Sequence, residues 1–204
     1  MDADHIILVV NLSTVLFFGL IWLGFVAFLR LKKKKSFVYL FLFTIFFIYI
    51  YKVLDYTLFQ FQSLLLLKHF IPQLMLNGYT AGESVNLVPL LSLTAEDLKT
   101  SLLNILLMVP FGFGLPFITD FRFKKVVLAG ALFSIAIELL QLLTGLMAGT
   151  SFRIADINDV IFNTAGAAIG YFLFIALVGI LRHASHGGET LRDPLSQYVI
   201  ARPQ

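Results

Sequence analysis

Five long stretches of the chain are apolar almost without interruption, at residues 5–29, 36–59, 95–118, 126–147 and 156–181. A helix of about 20 residues, rising 1.5 Å per residue, spans the roughly 30 Å of a bilayer's hydrocarbon, and each stretch is long enough. The apolar residues are continuous rather than alternating, so the pattern predicts membrane helices and not the short strands of a barrel. The expected fold is all-α: a polytopic membrane protein with about five transmembrane helices. The first span has no basic segment ahead of it and is followed by RLKKKK (30–35), a stop-transfer block. It therefore reads as a retained helix rather than a cleaved signal.

The segments between the spans carry their own signals. The stretch 58–79, LFQFQSLLLLKHFIPQLMLNGY, is too apolar for a solvated loop and fits an extension of the second span followed by an interfacial or re-entrant helix. TAGES (80–84) is a turn signal, and TAED (94–97) fits a capping box, Thr94 with Asp97, that starts the third span. PFGFGLP (110–116) places two prolines and two glycines inside that span and predicts a kink. From Arg182 onward the chain is polar, which predicts a disordered tail; its His183 and His186 read as solvated side chains before metal ligands. The expected organisation is a single membrane domain: two spans and a loop over 1–84, a core over 85–181, and a tail over 182–204.

Charge sets an expected orientation. Most of the 15 basic residues, including Arg30, Lys32 to Lys35, Arg122, Lys124, Lys125, Arg182, Arg192 and Arg202, fall on one side of the five spans. Only Lys52, Lys68, Lys99 and Arg153 fall on the other, so the N-terminus is expected outside and the C-terminus in the cytoplasm. Composition agrees with a membrane protein: 59% of residues are hydrophobic and 13% charged, where a soluble domain has about a quarter charged. There is no cysteine, which excludes a disulfide framework and thiolate chemistry. The net charge of +3 is explained by topology and implies no nucleic-acid partner.

Against this background the polar residues inside the spans stand out. Ser101 and Asn104 begin the third span, with Asn86 just before it. Ser134, Glu138 and Gln141, spaced i, i+4, i+7, share a face of the fourth. Asp156, Asp159 and Asn163 share a face at the start of the fifth, preceded by Arg153 and continued by Gly166 and Gly170 as a small-residue packing stripe. Entering from outside, Asp159 lies about 5 Å, Asn163 about 10 Å and Glu138 about 14 Å deep. The polar faces thus occupy the outer-leaflet half and are expected to form one outward-opening pocket. A carboxylate at that depth costs a few kcal/mol, and a structural ion-pair network is the competing explanation. One arginine cannot neutralise Glu138, Asp156 and Asp159, however. The surplus calls for a protonated acid, a cationic ligand or a divalent cation, for which the three carboxylates are the candidate ligands.

NLVP (86–89), NILLMVPFGF (104–113), SIAIELLQ (134–141) and RIADINDVIFNTAGAAIGY (153–171), in this order and spacing, resemble the VanZ-like family of membrane proteins. The resemblance covers about 90 residues, most of the last three spans. Leu90 departs from the aromatic residue often found there. The resemblance implies a bacterial plasma-membrane location, a link to teicoplanin resistance, and chemistry on lipid head groups. It also implies recurrent polar positions at Asn86, Asn104, Glu138, Gln141, Arg153, Asp156, Asp159 and Asn163.

Two classes of function follow. An enzyme acting on membrane lipids or lipid-linked precursors would use Glu138 or Asp159, with Asp156 beside it, for proton transfer. Arg153 would grip a phosphate, and Asn104, Gln141, Asn163 and Asn86 would orient the substrate. Ser134 reads as a packing serine before a nucleophile. A non-catalytic binding protein would use the same residues to hold a head group. A transporter fits less well, since the inner half has no polar path and no internal repeat is evident.

Overall fold

The computed structural model describes residues 3–59, 85–89, 95–148, 155–186 and 193–203. In chain order the elements are α1 (Ala3–Leu31), α2 (Phe37–Leu54) running into a π-helical turn (Asp55–Phe59), and β1 (Val85–Asn86). They continue with α3 (Ala95–Ile118), α4 (Phe123–Ala148), β2 (Ala155–Asp156), α5 (Ile157–His186) and α6 (Pro194–Ile200). Five of these helices, α1 to α5, are long and apolar enough to cross a membrane. Their outward faces carry large apolar side chains such as Leu20, Phe41, Leu106, Leu132 and Phe172, all exposed. Those residues need hydrocarbon as solvent, so the chain is a multi-pass helical membrane protein.

Local chemistry sets the helix boundaries. After α1 the backbone passes through Lys34, whose φ of 49° lies in the left-handed region. Ser36 then caps α2, its hydroxyl accepting from the Tyr39 N–H at 3.2 Å. At the other end of α2 the helix widens, and the Thr57 hydroxyl donates to the Val53 carbonyl at 2.7 Å. Helix α3 continues through Pro110 and Pro116, so the proline-glycine run does not break it. Its last carbonyls, which lack helical partners, accept hydroxyls: Tyr39 reaches Ile118 at 3.2 Å, and Tyr198 reaches Phe117 at 2.7 Å. The apolar stretch 60–79, TAGES and Thr94 of the expected capping box lie outside the described residues.

Contacts divide the chain into two compact units built from discontinuous segments. The first comprises Met1–Lys34, Ile50–Leu87 and Ala136–Asp156. Within it β1 pairs in parallel with β2, Val85 opposite Ala155 and Asn86 opposite Asp156. Phe18 of α1 meets Tyr51 of α2 at 5.2 Å between ring centres.

The second unit comprises Lys35–Tyr49, Val88–Ile135 and Ile157–Gln204. Its centre is the α3–α5 pair, and glycine makes their approach possible. A Cβ on Gly166 would collide with the carbonyl of Ile105, and one on Gly170 with that of Val109. Gly112 on α3 meets the Ala167 carbonyl in the same way, so both helices contribute small residues to one seam. Around it, Phe111 stacks on Phe133 at 5.2 Å, and Phe117 meets Phe174 edge-on at 5.1 Å. Met108, Val126, Phe174 and Val178 are fully buried.

The expectation of a disordered tail is corrected over 193–203. Helix α5 runs on to His186, and α6 begins at Pro194 with Asp193 as its N-cap. Arg182 donates to the Ile200 carbonyl at 2.9 Å, Arg202 pairs with Asp120 at 2.8 Å, and Val199 is buried. Apolar and aromatic side chains within the polar tail dock it against the ends of α3 and α5. His183 is exposed on the last turns of α5.

Candidate functional site

Polar side chains buried within membrane helices mark the candidate site. Among the described residues the buried polar set comprises Thr57, Ser101, Ser134, Glu138, Asn158 and Asn163. Each group below lies within one of the two units and is built there.

In the first unit, β1 and β2 bring the chain before α3 alongside the chain before α5. Their register sets Asn86 opposite Asp156. The Asn86 amide donates to Asp156 Oδ1 at 3.1 Å. The backbone N–H of Asp156 donates to Glu138 Oε2 at 3.1 Å, and Glu138 is only 8% exposed. Two carboxylates are thus aligned by amide donors, which compensate part of the cost of burying an anion in a membrane helix. One turn further along α4, the Gln141 amide donates to the Thr57 carbonyl at 2.9 Å. That bond satisfies a carbonyl at the π-helical turn and gives Gln141 a structural task.

In the second unit, α3 and α5 face each other through the glycine seam. At the end away from α6, the Asn104 amide donates to Asp159 Oδ1 at 2.6 Å. One turn along α5 the Asn163 amide donates to Ser134 Oγ at 2.8 Å, with Ser134 fully buried. Asn163 is 4% exposed, and among the described residues its Oδ1 has no hydrogen-bond partner. A buried carbonyl oxygen left unpaired costs about 1–3 kcal/mol, so this atom is placed to accept from a water or a ligand donor.

The structure therefore joins Asn86, Asp156 and Glu138, and it joins Gln141 to Thr57. It also joins Asn104 to Asp159, and Asn163 to Ser134. Arg153 lies outside the described residues. Sequence spacing misses two buried polar residues. Asn158 falls off the i, i+3, i+7 stripe of α5, and Thr57 lies at the end of an apolar run, where a threonine bonding its own helix draws no notice. The signal for Asn158 was its place between Asp156 and Asp159 in ADIND. No group of three or more His, Cys, Asp or Glu side chains converges as a metal site would require, among the described residues.

A family model described as VanZ/LLP1 matches residues 53–180. The chain belongs to the VanZ-like family. The match begins in the last turn of α2 and ends within α5, so it takes in the polar residues of both groups as well as the segment before β1. VanZ-like membership therefore rests on the core and leaves α1 and α6 outside. No curated protein and no solved structure matches the chain.

Proposed function

We propose that this VanZ-like protein acts on the head groups of membrane lipids or lipid-linked cell-wall precursors, from the outer face of a bacterial plasma membrane. The observation that carries the reading is that three carboxylates are each held on one oxygen by an amide N–H. Glu138 is held by the Asp156 backbone, Asp156 by Asn86, and Asp159 by Asn104. Each such bond fixes the orientation of a carboxyl group. General acid–base chemistry needs an aligned acid of this kind.

In this reading Glu138 or Asp159 moves the proton, with Asp156 supporting. Arg153 grips the phosphate of the head group as a bidentate donor. If Glu138 is the acid, Gln141 and Asn86 orient the substrate; if Asp159 is, Asn104 and Asn163 do. A divalent cation would offset the excess negative charge where phosphate enters. Protection against teicoplanin, which binds cell-wall precursors outside the membrane, would follow from altering such a head group.

The test incubates purified protein with labelled lipid-linked precursors and phospholipids, with and without Mg²⁺ or Ca²⁺. Turnover that disappears in Glu138→Gln supports the reading, and absence of turnover on every substrate sinks it. A second reading, binding without catalysis, is favoured by the unpaired Asn163 Oδ1, which calls for a hydrogen-bond donor rather than a reaction. Under it, lipid copurifies unmodified and Glu138→Gln keeps cellular function.

A further inference from the structure

The second unit contains a cavity of about 440 Å³, within the usual range for ligand sites of about 300–1,000 Å³. Its walls come from α2, α3 and α5, including Phe46, Phe113, Phe117 and Leu177, and α6 supplies Leu195 and Val199. Nearly all of this lining is apolar. Of its two hydroxyl-bearing residues, Tyr49 already donates to the Leu107 carbonyl at 2.7 Å, and Ser196 lies on α6. Water needs two or more polar partners to occupy such a space, and this one does not provide them. Left empty, the walls would lose dispersion contacts outright. Three of the four contributing helices are membrane-spanning, so the fluid that reaches the cavity is hydrocarbon.

The α6 end of this unit is strongly basic. Lys35, Arg122, Lys124, Lys125, Arg182 and Arg202 are there, against Asp120 and Asp193. Lys35 sits over the Tyr39 ring at 4.6 Å, and Arg202 over the Tyr198 ring at 4.5 Å. The excess of positive charge at this end complements an anionic head group.

We propose that the cavity holds one acyl chain of an anionic phospholipid, with its head group at the basic α6 end and α6 closing the side of the chain. The assignment uses the second unit alone and does not depend on the head-group chemistry proposed above. It gives α6 a role in lipid binding outside the segment matched by the family model.

The experiment reconstitutes the full chain in vesicles carrying trace phospholipid with a photoactivatable acyl chain, and maps the crosslinks by peptide mass spectrometry. One vesicle set is phosphatidylglycerol and the other phosphatidylcholine. Crosslinks are expected at 42–49, 110–117, 177–181 and 195–199, above those at Leu128 and Leu132, which are exposed on α4 and report ordinary lipid contact. The phosphatidylglycerol signal is expected to be higher by about fivefold for each basic residue facing the head group. Leu177→Trp, which fills the cavity, should remove the excess, while Leu177→Ala, which enlarges it, should not. Both variants are checked for monodispersity, so that loss in the Trp variant alone reports blockage and not misfolding. Equal labelling of cavity and α4 positions, or labelling indifferent to Leu177→Trp, overturns the site. Equal signal from the two lipids overturns the anionic assignment.

Discussion

Among the described residues, Glu138 is a buried carboxylate and Asn163 carries a buried oxygen with no hydrogen-bond partner. Glu138 accepts from a backbone N–H that belongs to a different segment, and that bond sets the direction of its carboxyl group. Glu138→Gln keeps the volume and the acceptor but removes the acid. The fold should survive, with activity falling about 10²- to 10⁴-fold if the group transfers a proton, as read by head-group turnover. For Asn163 the partner Ser134 is also buried, and replacing both by apolar residues of matching size removes the pair together. The double variant Asn163→Leu, Ser134→Ala should change thermal stability by less than about 1 kcal/mol, because neither polar group is left stranded. The same variant should lose substrate binding if Asn163 Oδ1 accepts from the ligand, and retained affinity would remove Asn163 from the site. Asp159 and its neighbours were legible from helical spacing, because residues three and four apart share a face whatever surrounds them. Asn158 was not, because it lies off the polar stripe and yet is buried.

At the scale of the element, the α3–α5 seam decides where the second group of polar residues lies. Gly166 and Gly170 face carbonyls at distances that leave no room for a methyl group, whereas Gly179, further along the same helix, has open space around it. Gly170→Ala should therefore destabilise the protein by about 1–3 kcal/mol in thermal unfolding in detergent. Gly179→Ala should be neutral or stabilising by up to about 1 kcal/mol, since it replaces glycine in a helix interior without a clash. Equal effects at both positions would contradict the close packing. The small-residue stripe was visible in the sequence, but its partner was not: the contacts run to backbone carbonyls of α3, which sequence alone does not locate. The proline-glycine run of α3 also has a packing role in the structure. Gly112 packs on Ala167, and the helix continues through both prolines.

For the whole molecule, the docked C-terminal helix and the membrane orientation yield the remaining predictions. Tyr198 donates to the Phe117 carbonyl, and burial raises its hydroxyl's pKa above the usual value, with Arg202 partly opposing. A tyrosine whose folded pKa is raised keeps its full contribution below its unfolded pKa of about 10 and loses it as pH rises through the folded value. Limited proteolysis of residues 193–203 should therefore increase above about pH 10 in the wild type. Tyr198→Phe should open the segment at neutral pH by roughly 1 kcal/mol, about fivefold in cleavage rate. If cleavage in wild type is flat to pH 11, the docking bond does not hold the tail. Orientation is tested directly because the chain has no cysteine. With the N-terminus outside, an impermeant maleimide on intact cells labels Leu87→Cys and not Ser36→Cys; the reverse pattern inverts the topology and moves the polar groups to the inner leaflet.

The sequence by itself determined the number and extent of the membrane helices, because hydropathy summed over about 20 residues is a local quantity that no tertiary contact needs to supply. It also determined the family and the helical faces that carry acids and amides, which depend only on order and on a period of 3.6 residues. Only the tertiary structure decided which donor holds which carboxylate, and that Gln141 serves the Thr57 carbonyl. The same holds for α6, which folds back onto the ends of α3 and α5 rather than remaining disordered. Each of these depends on residues at least 18 positions apart, such as Asn86 with Asp156 and Tyr198 with Phe117, brought together by strand pairing and helix packing. A hydrogen bond acts over about 3 Å, so its existence is settled only when the chain has been folded to that precision in space.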